Sequence, residues 1–150
     1  DFPREGNNWS HKYARRQWNL VDNKDLDYHY LGDFDREMLK VIKSEKNLIR
    51  TPVQEMWHND ADQILAYMRG DLLFVFNFSP NRSFTDYGFL VPTGSYDVVL
   101  DTDNKKFGGN GLNDDSMMHL TSYDSLYVNE RKEWLKLYLP ARSALVLRKN

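Results

Sequence analysis

A chain of 150 residues, 41% hydrophobic and 14% aromatic, carries the apolar material of one ordinary domain, which buries roughly 70% of its unfolded surface. Its formal charge of −2, with Lys and Arg scattered along the sequence, excludes the basic footprint of a nucleic-acid or anionic-membrane binder. Zero cysteines exclude a disulfide framework, thiolate catalysis and cysteine-held zinc, and they fit a reducing, cytoplasmic setting.

The opening stretch DFPREGNNWS is polar, broken by Gly6, and holds Phe2, Pro3 and Trp9 as if for packing; it reads as a loop inside a longer polypeptide. Ser10 is placed to cap a helix over about residues 11–21, with Ala14, Trp18 and Val21 as one apolar stripe. Leu26, Tyr30, Phe34, Met38 and Ile42 form a second ladder interrupted at Gly32. The expectation there is a short helix before the glycine and a longer one capped by Asp33, with Asp35, Glu37, Lys40 and Lys43 matching the helix dipole.

At Thr51-Pro52 the apolar period changes from that of a helix to that of a strand. Residues 63–69 read as a strand, Arg69-Gly70-Asp71 as a turn, and 72–78 as a second strand with Leu72, Phe74, Phe76 and Phe78 on one face and Leu73 and Val75 on the other. Such a strand is central and covered on both sides. Further strands are expected near 83–91, 96–101, 134–139 and 144–148, whereas 102–133 is hard to read. Short antiparallel strands separated by turn signals make the fold mainly β, an antiparallel β-sandwich preceded by two or three helices. Two helices of this length form no core of their own, so they cover the sandwich or end a body that lies elsewhere.

Chemistry is sparse. Asp22, Asp25, Asp27, Asp33, Asp35 and Glu37 are dense enough to suggest the carboxyl pair, ~5 Å apart, of a retaining glycosidase, but they read more simply as helix surface and caps. His11, His29, His58 and His119 have no metal-binding spacing, so no metal is expected. No GxSxG elbow is present, and Gly108-Gly109-Asn110-Gly111 reads as a flexible turn. Asp101-Thr102-Asp103-Asn104 begins like a calcium loop but fails at Lys105, Lys106 and Leu112, leaving a solvent-exposed hairpin connection. Trp18 and Trp134 read as core. Trp9, in a loop beside Arg4, Asn7 and Asn8, is the one place to look for sugar contact, since an indole face with directed amide and guanidinium groups suits a hydroxylated ring; the alternative makes Phe2 and Trp9 buried plugs. No apolar run approaches the ~20 residues that cross a bilayer, and the first residues lack the order of a signal peptide.

DFPREGNNWSHKYARRQWNLVDNKDL, YLGDFDREM, GDLLFVFNFSP, SFTDYGFLVPTGSYDVVLDTDNKKFGG and LYLPARSALVL, in this order across nearly the whole chain, resemble the C-terminal part of 1,4-α-glucan branching enzymes, members of the α-amylase superfamily. The resemblance implies that residues 1–50 end a (β/α)8 catalytic barrel and that 51–150 form its C-terminal all-β domain. It implies an α-glucan or glycogen partner for the parent enzyme, the catalytic barrel as partner within the same chain, and no cofactor. The family's catalytic carboxylates lie upstream of these motifs, so no residue here inherits a catalytic role, and the chain alone is expected to be inactive. Arg4, Asn7, Asn8 and Trp9 are implied to approach acceptor subsites by their place in the DFPREGNNW loop. Two rivals stay open: a non-catalytic α-glucan-binding module, and a structural sandwich whose Leu73 and Val75 side is covered by residues 11–45.

Overall fold

The computed structural model describes residues 2–12, 14, 17–123 and 132–150. Among the described residues two α-helices, α1 (Trp18–Asp22) and α2 (Tyr28–Ser44), precede nine strands: β1 (Gln54–Asn59), β2 (Ile64–Arg69), β3 (Leu72–Asn77), β4 (Phe84–Phe89), β5 (Ser95–Asp101), β6 (Met118–Leu120), β7 (Ser122–Tyr123), β8 (Glu133–Leu139) and β9 (Ser143–Lys149). The strands form a six-stranded sheet in the order β1-β2-β3-β9-β5-β6 and a three-stranded sheet in the order β4-β8-β7. All pairings are antiparallel.

Strand alternation sends every second side chain into the space between the sheets. Ile64, Ala66 and Met68 of β2, Leu73 and Val75 of β3, and Leu145 and Leu147 of β9 meet Phe89 of β4 and Leu135, Leu137 and Leu139 of β8 there. Each large side chain so buried stabilises the fold by about 1.5–3 kcal/mol. Asn77, at the end of β3, is only 2% exposed, and its amide donates to the carbonyls of Arg82, Leu139 and Pro140. One side chain therefore ties the two sheets together at the corner where β3 leaves for β4.

β3 is central, between β2 and β9, as its two apolar faces require. Its outer face carries Leu72 and Phe74, which join Leu100 and Val146 under Phe34, Met38, Val41 and Ile42 of α2 and Leu48 of the following turn. The covered faces are thus the reverse of those in the structural-sandwich rival: the helix lies over Leu72 and Phe74, and the second sheet covers Leu73 and Val75. At the C-terminal end of α2, Arg148 of β9 donates to Glu45 Oε1 and Ser44 Oγ at 2.8 and 2.9 Å. Arg69 of β2 donates to the carbonyls of Thr51 and Ile49, which pins the connection from helix to sheet. Beside α2 the outer face is left open as an apolar cavity of about 590 Å³.

Several helical expectations change. Ser10 caps no helix: its Oγ accepts from Lys12 N, His11 is irregular, and α1 begins only at Trp18. The predicted stretch in part falls on residues 13, 15 and 16, outside those described. Trp18 is 63% exposed and so not core, while Trp134 is half-buried, its ring against Gly88. α2 runs unbroken through Gly32 and Asp33. Gly32 is interior because a Cβ there would lie 2.7 Å from Val21 Cγ1; the small residue serves the close crossing of α1 and α2. Asp33 pairs with Arg36 one turn on and caps nothing.

β1 was not legible, since Gln-Glu-Met-Trp-His-Asn is mostly polar and lacks a clean alternation. It is an edge strand whose ladder shifts register between Glu55 and Trp57, and a bulge of this kind erases period two. The connection after β5 is neither a solvent-exposed hairpin nor a loose glycine turn. Asp101 and Asp103 are buried, and the Asp103 carboxylate accepts from Asn110 N, Asn110 Nδ2 and Leu112 N. A Cβ at Gly109 would fall 2.2 Å from the Asp103 carbonyl oxygen, so the glycine permits the loop to close on its own hub. The outer end of this loop packs on α2, Phe107 meeting Phe34 edge-on at 5.3 Å. The rest of the segment that resisted reading holds β6 and β7, with 124–131 outside the described residues.

Candidate functional site

The loop singled out in the sequence is a self-contained turn. Glu5–Asn7 make one 3-10 turn; Arg4 N donates to Asn7 Oδ1 at 2.9 Å, Asn7 Nδ2 donates to the Phe2 carbonyl at 3.0 Å, and Trp9 N donates to the Arg4 carbonyl at 3.0 Å. The amide of Asn7 is therefore spent on building the loop. Asn8 and Trp9 both sit at positive φ, 52° and 54°; asparagine takes this conformation readily and here caps the 3-10 turn, whereas for a residue as large as an indole it is strained. Phe2 is 83% and Trp9 67% exposed, so neither is a buried plug within this chain. The turn brings Arg4, Asn7, Asn8 and Trp9 together, with Arg4, Asn8 and Trp9 facing solvent.

A second cluster lies at the open edge of the sandwich, where β1 of one sheet faces β4 of the other. Trp57 Nε1 donates to Tyr87 Oη at 3.2 Å, and Tyr87 Oη donates to Asp62 Oδ2 at 3.1 Å. Asn59 Nδ2 donates to the same carboxylate oxygen at 3.0 Å, and Arg82 Nη2 to the other oxygen at 3.0 Å. Partial burial, then the neighbouring Asp62, raises the Tyr87 pKa, so its hydroxyl stays protonated as a donor. Sequence reasoning missed this network because its members are brought together by strand pairing and sheet packing. The local signal was the Asn59…Asp62 spacing of a tight turn, in which Asp62 N donates to Asn59 Oδ1.

Among the described residues, the carboxylates elsewhere form no reacting pair. Asp33 and Glu37 pair along the helix with Arg36 and Lys40, and the Lys40 ammonium holds the Glu37 carboxyl below its usual range. Burial pushes Asp101 up to about 6, yet it is occupied within its loop by Asp103 N and Asn113 Nδ2. The histidines are dispersed: His29 Nδ1 meets the Leu26 carbonyl, and His58 pairs with Glu55, which raises its pKa. Among the described residues, no group of three or more His, Asp or Glu side chains is arranged to hold a metal ion, and no helix is long and apolar enough to cross a membrane.

Comparison with known proteins gives this architecture a context. Residues 56–150 match the family model described as alpha amylase, C-terminal all-beta domain. The chain is 42% identical over 149 residues to the 1,4-alpha-glucan-branching enzymes of Candida glabrata and Emericella nidulans, covering 98% of this chain and 21% of each relative. It is 38% identical over 154 residues to the 1,4-alpha-glucan-branching enzyme, chloroplastic/amyloplastic, of Oryza sativa subsp. japonica, covering 97% of this chain and 18% of the relative. This chain spans about a fifth of the length of these relatives. With strands β1 to β9 matched almost from end to end, it belongs to the alpha amylase C-terminal all-beta domain family.

Proposed function

We propose that this chain is the C-terminal part of a 1,4-α-glucan-branching enzyme and that it serves the reaction without performing it. The observation that carries this is the 42% identity sustained over 149 residues with branching enzymes about five times its length. In the parent reaction a carboxylate displaces the 4-oxygen of an α-1,4 linkage while an acid protonates that leaving oxygen. The covalent glycosyl-enzyme is then attacked by a 6-hydroxyl, whose proton returns to the same residue. Those carboxylates belong to the catalytic barrel, and no residue in this chain takes their place.

In this reading residues 1–50 close the barrel and 51–150 form the β domain; the start of β1 at Gln54 and of the family match at residue 56 supports that division. Arg4, Asn8 and Trp9 are proposed to touch acceptor glucan, with Asn7 holding the turn; the two positive-φ residues and the exposed indole support this. The parent is proposed to act in the cytoplasm. A branching assay on amylose, read by iodine staining and by debranching, is expected to give no product above a no-protein control for this chain. Activity is expected for a chain extended through the upstream barrel; branching by the 150 residues alone would overturn the proposal.

A further inference from the structure

We infer that the open edge of the sandwich is a second α-glucan contact, with a glucose ring lying on the outer face of Trp57 and Arg82 donating to its hydroxyls. The inference rests on the glucan reading above but concerns a different surface from the Arg4–Trp9 turn.

Trp57 pairs with Ala66, a residue buried between the sheets, so its ring hangs over the open end of the core and is 39% exposed. The register shift in β1 supplies this aim, because Met56 also packs against the core. β4, opposite, is irregular at the same edge, shifting register between Phe84 and Tyr87 with Asp86 at φ 51°. Bulges and charges protect a sheet edge from pairing, and a bulge on each strand would suffice for that. Protection alone does not require an indole fixed through its Nε1 to a tyrosine that is in turn fixed to a carboxylate. That chain of bonds holds an exposed aromatic plane in one orientation, which lowers the entropy cost of stacking a ligand on it.

The rim selects the ligand class. Arg82 is exposed, and its guanidinium lies 4.9 Å from the Phe84 ring centroid. Its charge is balanced by Asp62, which also accepts from Tyr87 and Asn59. A network so neutralised has no cation to spare for a phosphate or an acidic peptide and suits a neutral polyol. A sugar meets both needs at once, since its C–H face is apolar and its edge carries hydroxyls. Tyr87 and Asp62 are positioning residues here: they orient Trp57 and Arg82.

The test is titration of this chain with maltoheptaose, followed by calorimetry and by the Trp57 indole N–H resonance, assigned with Trp57→Phe. The expected result is a saturable shift of that resonance, a loss of affinity of about tenfold or more in Trp57→Ala, and a severalfold loss in Arg82→Ala and in Tyr87→Phe. Should Trp57→Ala fold poorly, the resonance in the unmodified chain still decides the question. Binding abolished by Trp9→Ala with an unmoved Trp57 resonance would overturn this inference and leave the proposed function standing. An unmoved resonance at saturating maltoheptaose would overturn it as well, as would an equal response to a β-1,4-linked glucan.

Discussion

Single residues carry two burdens that the chain's composition hides. Asp101 is 1% exposed, and burial raises its pKa to about 6. A carboxyl whose folded pKa lies above its unfolded value binds more protons in the folded state. Its contribution to stability is therefore complete below pH about 4 and is lost as the pH climbs through about 6. Asp101→Asn, which keeps an acceptor for Asp103 N, is expected to flatten the dependence of Tm on pH between these limits and to raise Tm at neutral pH. Thermal scans across that window check it. Asn77 acts in the opposite sense. Asn77→Ala leaves three carbonyls, two of them in buried hydrogen bonds, without their shared donor and is expected to cost about 2–4 kcal/mol, read by urea unfolding. The sequence showed Asn77 only as a polar position near the end of the strand read over 72–78. Its role became visible when β8 was brought beside β3.

At the scale of elements, the strands were legible where a buried face imposes alternation, as in β5 and β8, and illegible where an edge relaxes it, as in β1. The helical region failed for a different reason. Gly32 was expected to break a helix, because glycine costs about 1 kcal/mol there relative to alanine. The close approach of Val21 overrides that preference. The two effects are separable: Gly32→Ala is expected to stabilise by about 0.5–1 kcal/mol in a Val21→Ala background and to gain little or nothing in the unmodified chain. A double-mutant cycle by chemical denaturation measures the coupling. A gain from Gly32→Ala alone equal to that in the Val21→Ala background would show that the crossing does not matter.

For the whole molecule, the contact that matters most is that of α2 with the sandwich beneath it. Phe34, Met38, Val41 and Ile42 cover the outer face of the large sheet, and Arg148 and Arg69 lock the helix end and its exit. Residues 28–150 are expected to unfold cooperatively without the opening loop and α1. Removal through residue 50 is expected to uncover Leu72, Leu100 and Val146 and to produce dye-binding, aggregating protein, since an apolar patch of that kind is rarely left in water. Thermal unfolding and dye fluorescence of the two truncations distinguish these outcomes. A chain that stayed monomeric and dye-silent after the longer deletion would assign α2 to the upstream barrel alone.

By itself the amino-acid sequence determined the class of fold, because the clean alternation of β5 and β8 and the two apolar faces of β3 are buried together only when sheets pack in layers. It also determined the likeness to branching enzymes, through motifs that run in order along the chain. Tertiary structure alone decided which face of β3 the helix covers, why Gly32 is small, and how Trp57, Asp62, Arg82 and Tyr87 come to share one network. The reason is physical. Periodicity is a property of neighbouring residues, whereas the partner of a bulged edge strand, a close crossing or a buried carboxylate is chosen by residues far along the chain.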